Sequence, residues 1–461
     1  MNSPKPHRRS SPRSGWPGRR DTRAGRRTAG GWSGRRRLWV GIAAAAAGLA
    51  AIAFTGSALA SPGVTHVRSA AATSPAQGLI SAFGCGTASA PGAVHCLGEV
   101  KSHRARNGRI APELTSGPVG YGPSDLRSAY GLSGTSGSGK TVAIVDAMDD
   151  PNAQSDLATY RKAYGLPACT TANGCLKKLN QNGQASPLPA GDYGWAEEES
   201  LDLDMVSATC PACHIALVEA NGTDVNSLSK AEQTAAAIPG VVAVSNSWGG
   251  SEDSSTLAAD KSFNHPGVAI TASSGDSGYS GGVIWPASSR YVTAVGGTSL
   301  SKASNSRGWT ETAWSGAGSG CSTNEPKPSW QRDSGCTRRT VSDVSAVADP
   351  NTGVGVYDTY NSCGSSSLCD IEIQLGVAQG LDGWAQVGGT SASSPLIASV
   401  YALAGNTGSI SYGSYPYSHR SSLNDVTSGS TGSCSGSYLC TAGTGYDGPT
   451  GLGTPRGTGA F

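Results

Sequence analysis

The sequence predicts an α/β fold, a parallel sheet with helices on both faces, followed by a loop-rich C-terminal region. Three observations carry this expectation. From residue 120 onward, short apolar runs rich in β-branched residues alternate with stretches of helical period. Each run is bounded by Gly, Pro or polar clusters and lacks an inside-outside alternation, as strands covered on both faces do. With 461 residues and 37% hydrophobic content the chain can bury a large core, and its 65 glycines suit long loops.

Taken in order, strands are expected at 141–145, 215–218, 241–245, 268–272 and 292–295, with helices near 154–164, 197–208, 225–237 and 254–264. Asp150-Pro151 announces the first of these helices as a cap followed by proline at the first helical position. Residues 301–380, rich in Ser, Gly and Cys, predict extended loops and antiparallel hairpins. Residues 388–404 read as a tight turn entering a helix, and the tail from residue 421 as loop. In such a fold, functional groups belong at strand ends and helix starts.

The chain before this region reads as export machinery. Residues 1–37 hold twelve Lys or Arg against Asp21 alone, and an uncharged apolar stretch at 38–54 closes with Ala58-Leu59-Ala60 before Ser61. That pattern predicts a signal peptide at 1–60 with a long basic leading segment. A retained membrane anchor is the competing reading; the Ala- and Gly-rich composition and the small residues at its end favour removal. Residues 61–118, rich in Ala, Gly, Pro and Ser without a sustained period, predict a linker or short pro-region, leaving 119–461 as the functional domain. Beyond residue 37 the chain has 22 basic and 31 acidic residues, a net charge near −9, which argues against a nucleic-acid partner. A secreted, extracellular monomer with no stable membrane association after signal removal is expected.

Twelve cysteines fall as near neighbours: Cys85 and Cys96, Cys169 and Cys175, Cys210 and Cys213, Cys321 and Cys336, Cys363 and Cys369, Cys434 and Cys440. An oxidising destination makes six short-loop disulfides the natural expectation. Cys210-Pro-Ala-Cys213 has zinc-ligand spacing, but no second close pair with matching His accompanies it.

Three clusters can do chemistry. In Trp195-Ala-Glu-Glu-Glu-Ser-Leu-Asp-Leu-Asp204, Glu198 and Asp202 are four apart, so a helix stacks both carboxylates on one face. Such a pair shares a proton and can act as a base in acid, although an acidic run is also the composition of a solvated helix face. In Gly388-Gly-Thr-Ser-Ala-Ser-Ser-Pro395, a serine after glycines at a helix start can expose its hydroxyl, or Thr390 or Ser391 can simply cap the helix. In Ser273-Ser-Gly-Asp-Ser-Gly278, Asp276 follows a strand, where a protonated carboxyl could donate to a developing oxyanion or serve only as a turn residue.

Together, with Tyr121-Gly-Pro-Ser-Asp-Leu-Arg-Ser-Ala-Tyr-Gly-Leu132 and Ser245-Asn-Ser-Trp-Gly249, these motifs resemble the sedolisin family of serine-carboxyl peptidases over roughly 120–461. The resemblance implies a subtilisin-like fold and acyl-enzyme hydrolysis of protein or peptide substrates at acidic pH. It makes Ser391 the nucleophile, Glu198 its base, Asp202 the partner of Glu198, and Asp276 the oxyanion donor. It also implies a calcium (Ca2+) site held by Asp425, Val426, Gly443, Gly445 and Asp447, hard oxygen ligands on loops. Asp146, at a strand end, is expected either to support the site from behind or to be a plain strand-end polar residue, Trp248 to wall the site or fill the core, and His214 to be structural.

No histidine stands in a Gly-His-Gly-Thr-like setting, which argues against a neutral subtilisin-type protease; the other rival is a catalytically silent binding protein on the same scaffold. Precursors in this family usually carry a large folded pro-domain, for which 61–118 is too short. The expectation is that the chain folds without one or with a trans-acting pro-domain, and matures by signal removal with one further trim near Gly120.

Overall fold

A computed structural model describes residues 80–83, 93–364 and 366–461, with backbone alone at 80–83. All of them fall in one unit, Thr73–Phe461; the expected signal peptide and Cys85 lie outside the described residues. The elements that position the site are, in chain order, β1 (His95–Cys96), β2 (Glu99–Arg104), α1 (Pro123–Ala129), β3 (Thr141–Ala147), α2 (Ala153–Ala163) and β4 (Leu176–Asn180). Then come α3 (Tyr193–Thr209), β5 (His214–Ala220), α4 (Val225–Ala237), β6 (Val241–Asn246), β7 (Trp248–Ser251), α5 (Ser254–Ala259) and β8 (Ala269–Ser273). They are followed by β9 (Thr293–Lys302), β10 (Trp309–Ala313), β11 (Val344–Val347), β12 (Val354–Asp358), β13 (Gly383–Gly388) and α6 (Thr390–Ala404).

The central sheet runs β4-β5-β3-β6-β8-β9, with every one of these neighbours parallel. Antiparallel β10 and parallel β11 both pair with β9 at its far edge. The sheet is covered on both faces, as the unbroken apolar runs require. Val142 and Ile144 of β3 pack with α1, α2, α3 and α6 through Leu126, Leu157, Leu201 and Leu396. Ala143 and Val145 face the other way, against Leu228 and Ala231 of α4 and the aromatic group Trp248, Phe263 and Trp285.

Two helices run through the interior. Asp192 starts α3 by accepting from the amides of Gly194 and Trp195 at 3.0 and 3.1 Å. Every residue of α3 from Trp195 to its end is then buried, so the acidic run is not a solvated face. Helix α6 is buried from Thr390 through Ala402. Its hydroxyls are absorbed by the sheet: Ser393 Oγ donates to the Val347 carbonyl at 2.9 Å, and Ser394 Oγ lies 2.9 Å from the hydroxyls of Ser245 and Thr271.

Three expectations need correction. The described part of 61–118 is not irregular linker. β1 pairs antiparallel with β7, β2 pairs antiparallel with β13, and Val94, Leu97, Val100 and Ala111 are buried. The expected helix at 254–264 stops as α5, capped by Asp253, and continues as a tighter turn at Asp260–Phe263. Residues 301–380 do contain the hairpin Gly320–Pro326 with Arg338–Val341, but they also supply β11 to the main sheet. Five of the six cysteine pairs are disulfides: Cys169–Cys175, Cys210–Cys213, Cys321–Cys336, Cys363–Cys369 and Cys434–Cys440. The second excludes zinc at Cys210 and Cys213, and Cys96 is disulfide-bonded as well.

Candidate active site

The chain delivers a group from the ends of three neighbouring parallel strands to the same place. Asp146 closes β3, Ser247 follows β6, and Ser274-Gly275-Asp276 follow β8. Helix α3 contributes Glu198 and Asp202 from one face, and the first turn of α6 contributes Thr390 and Ser391. Glu198, Asp202, Asp146, Ser391 and Asp276 are all buried.

Ser247 links these groups. Its Oγ donates to Asp202 Oδ1 at 2.7 Å and reaches Oδ2 at 2.9 Å, while its carbonyl accepts from Ser391 Oγ at 3.1 Å. Pro395 lies four residues after Ser391 and has no N–H to give the Ser391 carbonyl; the Ser247 hydroxyl approaches that carbonyl at 3.4 Å instead. Neither oxygen of Glu198 has a hydrogen-bond partner. The Ser391 hydroxyl therefore rests on Ser247, yet it faces Glu198 closely enough to favour that acid's ionised form.

The electrostatics follow from burial. Desolvation, then the charges of Asp202 and Asp146, pushes Glu198 well above the usual carboxylate range. Asp202 is raised by burial and by Asp146, against the pull of the Ser247 bond. Burial alone lifts Asp146 to about 8, and its two oxygens have no partner. These three carboxyls titrate as a unit that holds protons well above the usual range.

Asp276 is tied to the turn that carries Ser391. Its Oδ1 accepts from the Thr390 amide at 2.9 Å and the Thr390 hydroxyl at 2.6 Å. Its Oδ2 is buried without a partner. Burial, then the neighbouring Glu99, pushes this carboxyl well above its usual value despite the Thr390 bonds, so Asp276 is held as a neutral acid able to donate. Gly389 makes the turn possible. It has φ +85°, and a Cβ there would stand 2.6 Å from Asp276 Oδ2.

The sequence-derived residues therefore gather as expected, while three participants were not singled out. Ser247 lay inside the motif ending at Gly249 but had no assigned role. Thr390 was seen only as a cap. Residues 95–99, which cross the site, carried no local signal. Trp248 is a core residue and not a wall: its indole N–H donates to the Val145 carbonyl at 2.7 Å, with Trp285 and Phe263 beside it.

In the tail, the residues expected to hold calcium lie in one loop cluster. Asp425 Oδ2 accepts from the Gly445 amide and Asp447 Oδ2 from the Gly443 amide, both at 2.9 Å. Burial raises Asp447 to about 6, its bonds from Gly443 and Thr450 oppose this, and the nearby Asp425 charge adds to it. Val426 is buried, and nothing crowds Gly443 or Gly445. Two converging carboxylates whose mutual repulsion a cation would relieve fit the hard-oxygen site that calcium needs.

Fold and site together define the class: a parallel-sheet α/β protein in which a helix-start serine faces buried carboxyls in place of histidine. No family model matches the chain. It is 30% identical over 393 residues to kumamolisin of Bacillus sp. (strain MN-32), covering 77% of this chain and 65% of that protein. It is 28% identical over 386 residues to sedolisin of Pseudomonas sp. (strain 101), covering 75% and 61%. The chain thus spans just under two thirds of the length of these curated relatives. The solved structure of Pseudomonas sedolisin, a serine-carboxyl proteinase complexed with two molecules of pseudo-iodotyrostatin, matches with TM-score 0.59 at 28% identity, over 74% of this chain and 96% of that one. The chain is thus similar to proteins of the sedolisin family over about three quarters of its length.

Proposed function

We propose that this protein is a secreted serine-carboxyl endopeptidase that hydrolyses unfolded proteins or peptides at acidic pH. The observation that carries this reading is Ser391 set between the buried Glu198–Asp202 pair and the neutral acid Asp276. Ser391 Oγ leaves the Ser247 carbonyl and attacks the substrate carbonyl carbon, passing its proton to Glu198 in the form of the coupled carboxyl unit that has already given up one proton. Asp202, fixed by Ser247, orients Glu198 and stabilises its protonated form. The Asp276 proton is donated to the oxyanion that develops. Glu198 returns its proton to the leaving amine, and water releases the acyl group from Ser391 by the same steps in reverse order.

Because Asp276 must stay protonated to donate, activity is present in acid and is lost as pH rises through its folded pKa. Cleavage of an unfolded protein, followed from pH 3 to pH 8 with Ser391→Ala and Glu198→Gln alongside, tests the reading. Near-normal turnover by Glu198→Gln would remove the carboxyl base, and a neutral optimum would revive the subtilisin-type alternative. Protein that is folded yet inert at every pH would favour a silent scaffold.

We also propose that Asp425, Val426, Gly443, Gly445 and Asp447 hold calcium, which would join the two tail loops and take no part in the chemistry. Chelator in excess is expected to lower the melting temperature, since a ligand bound only by the folded state stabilises it. An unchanged melting temperature would discard the site.

A further inference from the structure

We propose that Asp150, Asp156 and Asp358 hold a calcium ion where the start of α2 meets the end of β12, at a site separate from the tail loops. The inference stands apart from the peptidase reading, because it uses none of the groups placed around Ser391. Asp150 follows β3, Asp156 lies in the first turn of α2, and Asp358 ends β12. Each offers a carboxylate oxygen, and the three oxygens lie within 4.8 Å of one another. Two oxygens on opposite sides of one calcium ion, each bound at about 2.4 Å, stand about that far apart.

The carboxylates are already fixed in place. Asp150 Oδ1 accepts from the Asn152 amide at 2.7 Å, Asp156 Oδ2 from the Thr359 amide at 2.8 Å, and Asp358 Oδ1 from the Tyr360 amide at 3.1 Å. Asn152 Nδ2 donates to Thr359 Oγ1 at 3.1 Å, which ties the start of α2 to the residue after Asp358.

What the group lacks is positive charge. The three side chains are buried, at 0, 3 and 0% exposure, and Asp358 Oδ2 has no hydrogen-bond partner. Burial, then the charge of Asp150, pushes the Asp358 carboxyl well above its usual value; Asp156 and Glu197 add to this and the Tyr360 bond opposes it. Lys178 reaches the Asp150 carbonyl, but its charge is shared with Asp149 and Glu219. Three buried carboxylates around one point repel one another. An ion there removes the repulsion and gives Asp358 Oδ2 the partner that its burial demands. All the donors are oxygen, which selects a hard cation. Calcium accepts the irregular geometry that carboxylates pinned by backbone amides impose, whereas magnesium demands a near-octahedral shell at about 2.0–2.1 Å. The Asp150 amide also donates to Glu199 Oε2 at 3.2 Å. The ion therefore fastens the β3 loop, α2 and β12 to the helix that carries Glu198.

The test uses the full chain, stripped with chelator, returned to pH 7.5 and titrated with calcium chloride by isothermal calorimetry. Asp447→Asn, which removes a ligand of the tail loops, is expected to bind one calcium ion per chain and to melt at a higher temperature when calcium is added. Asp447→Asn combined with Asp358→Asn is expected to bind none, with a melting temperature that calcium leaves unchanged. Circular dichroism checks that both variants fold. Because a substitution at buried Asp358 can prevent folding, wild-type crystals soaked in calcium supply a second reading. An anomalous peak is expected among the three carboxylates, with oxygens at about 2.3–2.6 Å. Equal binding by wild type and Asp447→Asn would take calcium from the tail and leave it here. No ion bound by Asp447→Asn, an ion that survives Asp358→Asn, or a soaked crystal without that peak overturns the inference and leaves three carboxyls that share protons instead.

Discussion

Two of the buried clusters of titratable groups among the described residues, one around Asp343 and one around Ser391, are built in opposite ways. Arg339 Nη1 donates to Asp343 Oδ1 at 2.8 Å, and the same carboxylate accepts from Tyr417, from Gln331 and from the Ala294 amide. Arg339 also donates to the carbonyls of Ser289, Thr340 and Val292. Burial draws the guanidinium down, but Asp343 overrides it and the group stays charged. Around Ser391, by contrast, Glu198, Asp146 and one oxygen of Asp276 are buried with no bonded partner. A saturated charge pins loops together, whereas an unsaturated one is a proton waiting to be exchanged. Charge of the second kind belongs to chemistry.

Removing the nucleophile should separate the two most sharply. Ser391→Ala is expected to lower kcat by about 10⁶-fold with the melting temperature unchanged, measured on purified protein. Arg339→Met should do the reverse. It strands the Asp343 carboxylate and is expected to cost about 3–5 kcal/mol in a urea titration, with kcat per folded molecule unaltered. Loss of activity in proportion to folded protein would uphold the contrast, and a specific loss of kcat would dissolve it.

Asp276→Ala, which deletes the oxyanion donor, should cost about 10²–10³-fold in kcat. Asp276→Asn, whose amide can donate at any pH, should recover part of that and move the alkaline limb of the pH profile upward. A limb left in place would assign it to another group.

The smallest effect concerns stability. Burial lifts Asp146, Glu197 and Glu232 to about 8 from ordinary values of 3.8 and 4.5. A carboxyl raised by folding favours the folded state fully below its unfolded pKa, and that contribution is lost as pH rises through the folded value. Stability should therefore fall between roughly pH 4 and pH 8, by about 2–4 °C in melting temperature for each kcal/mol lost. A melting temperature that rises over this window would contradict the burial of these acids.

Much of this was legible from local pattern. The expected strands at 141–145, 215–218 and 241–245 became β3, β5 and β6 with one to three residues added, because continuous apolar runs encode burial on both faces. Glu198 and Asp202 were legible as one helix face because their spacing fixes it. Their burial was not, since an acidic helix face looks the same in sequence whether water or other elements cover it. β11, Val-Ser-Ala-Val, and β13, Gly-Trp-Ala-Gln-Val-Gly, were hidden because neither is an unbroken β-branched run. His95 to Glu99 were hidden because they are ordered by strands some 150 and 290 residues downstream. Ser247 escaped notice for another reason: its contribution is as much backbone carbonyl as side chain.

Ser247 also sets what can be altered independently. Its carbonyl holds the peptide amide at position 97 and the hydroxyl of Ser391, and its side chain holds Asp202. Alignment of the bound chain and tuning of the proton acceptor are thus one mechanical variable. A slip or tilt at the β6–β7 junction would detune both at once. Selectivity can drift through Ser251, Ile284 and Gly318, which line one cavity with Leu97, and new preferences in this scaffold are to be sought there.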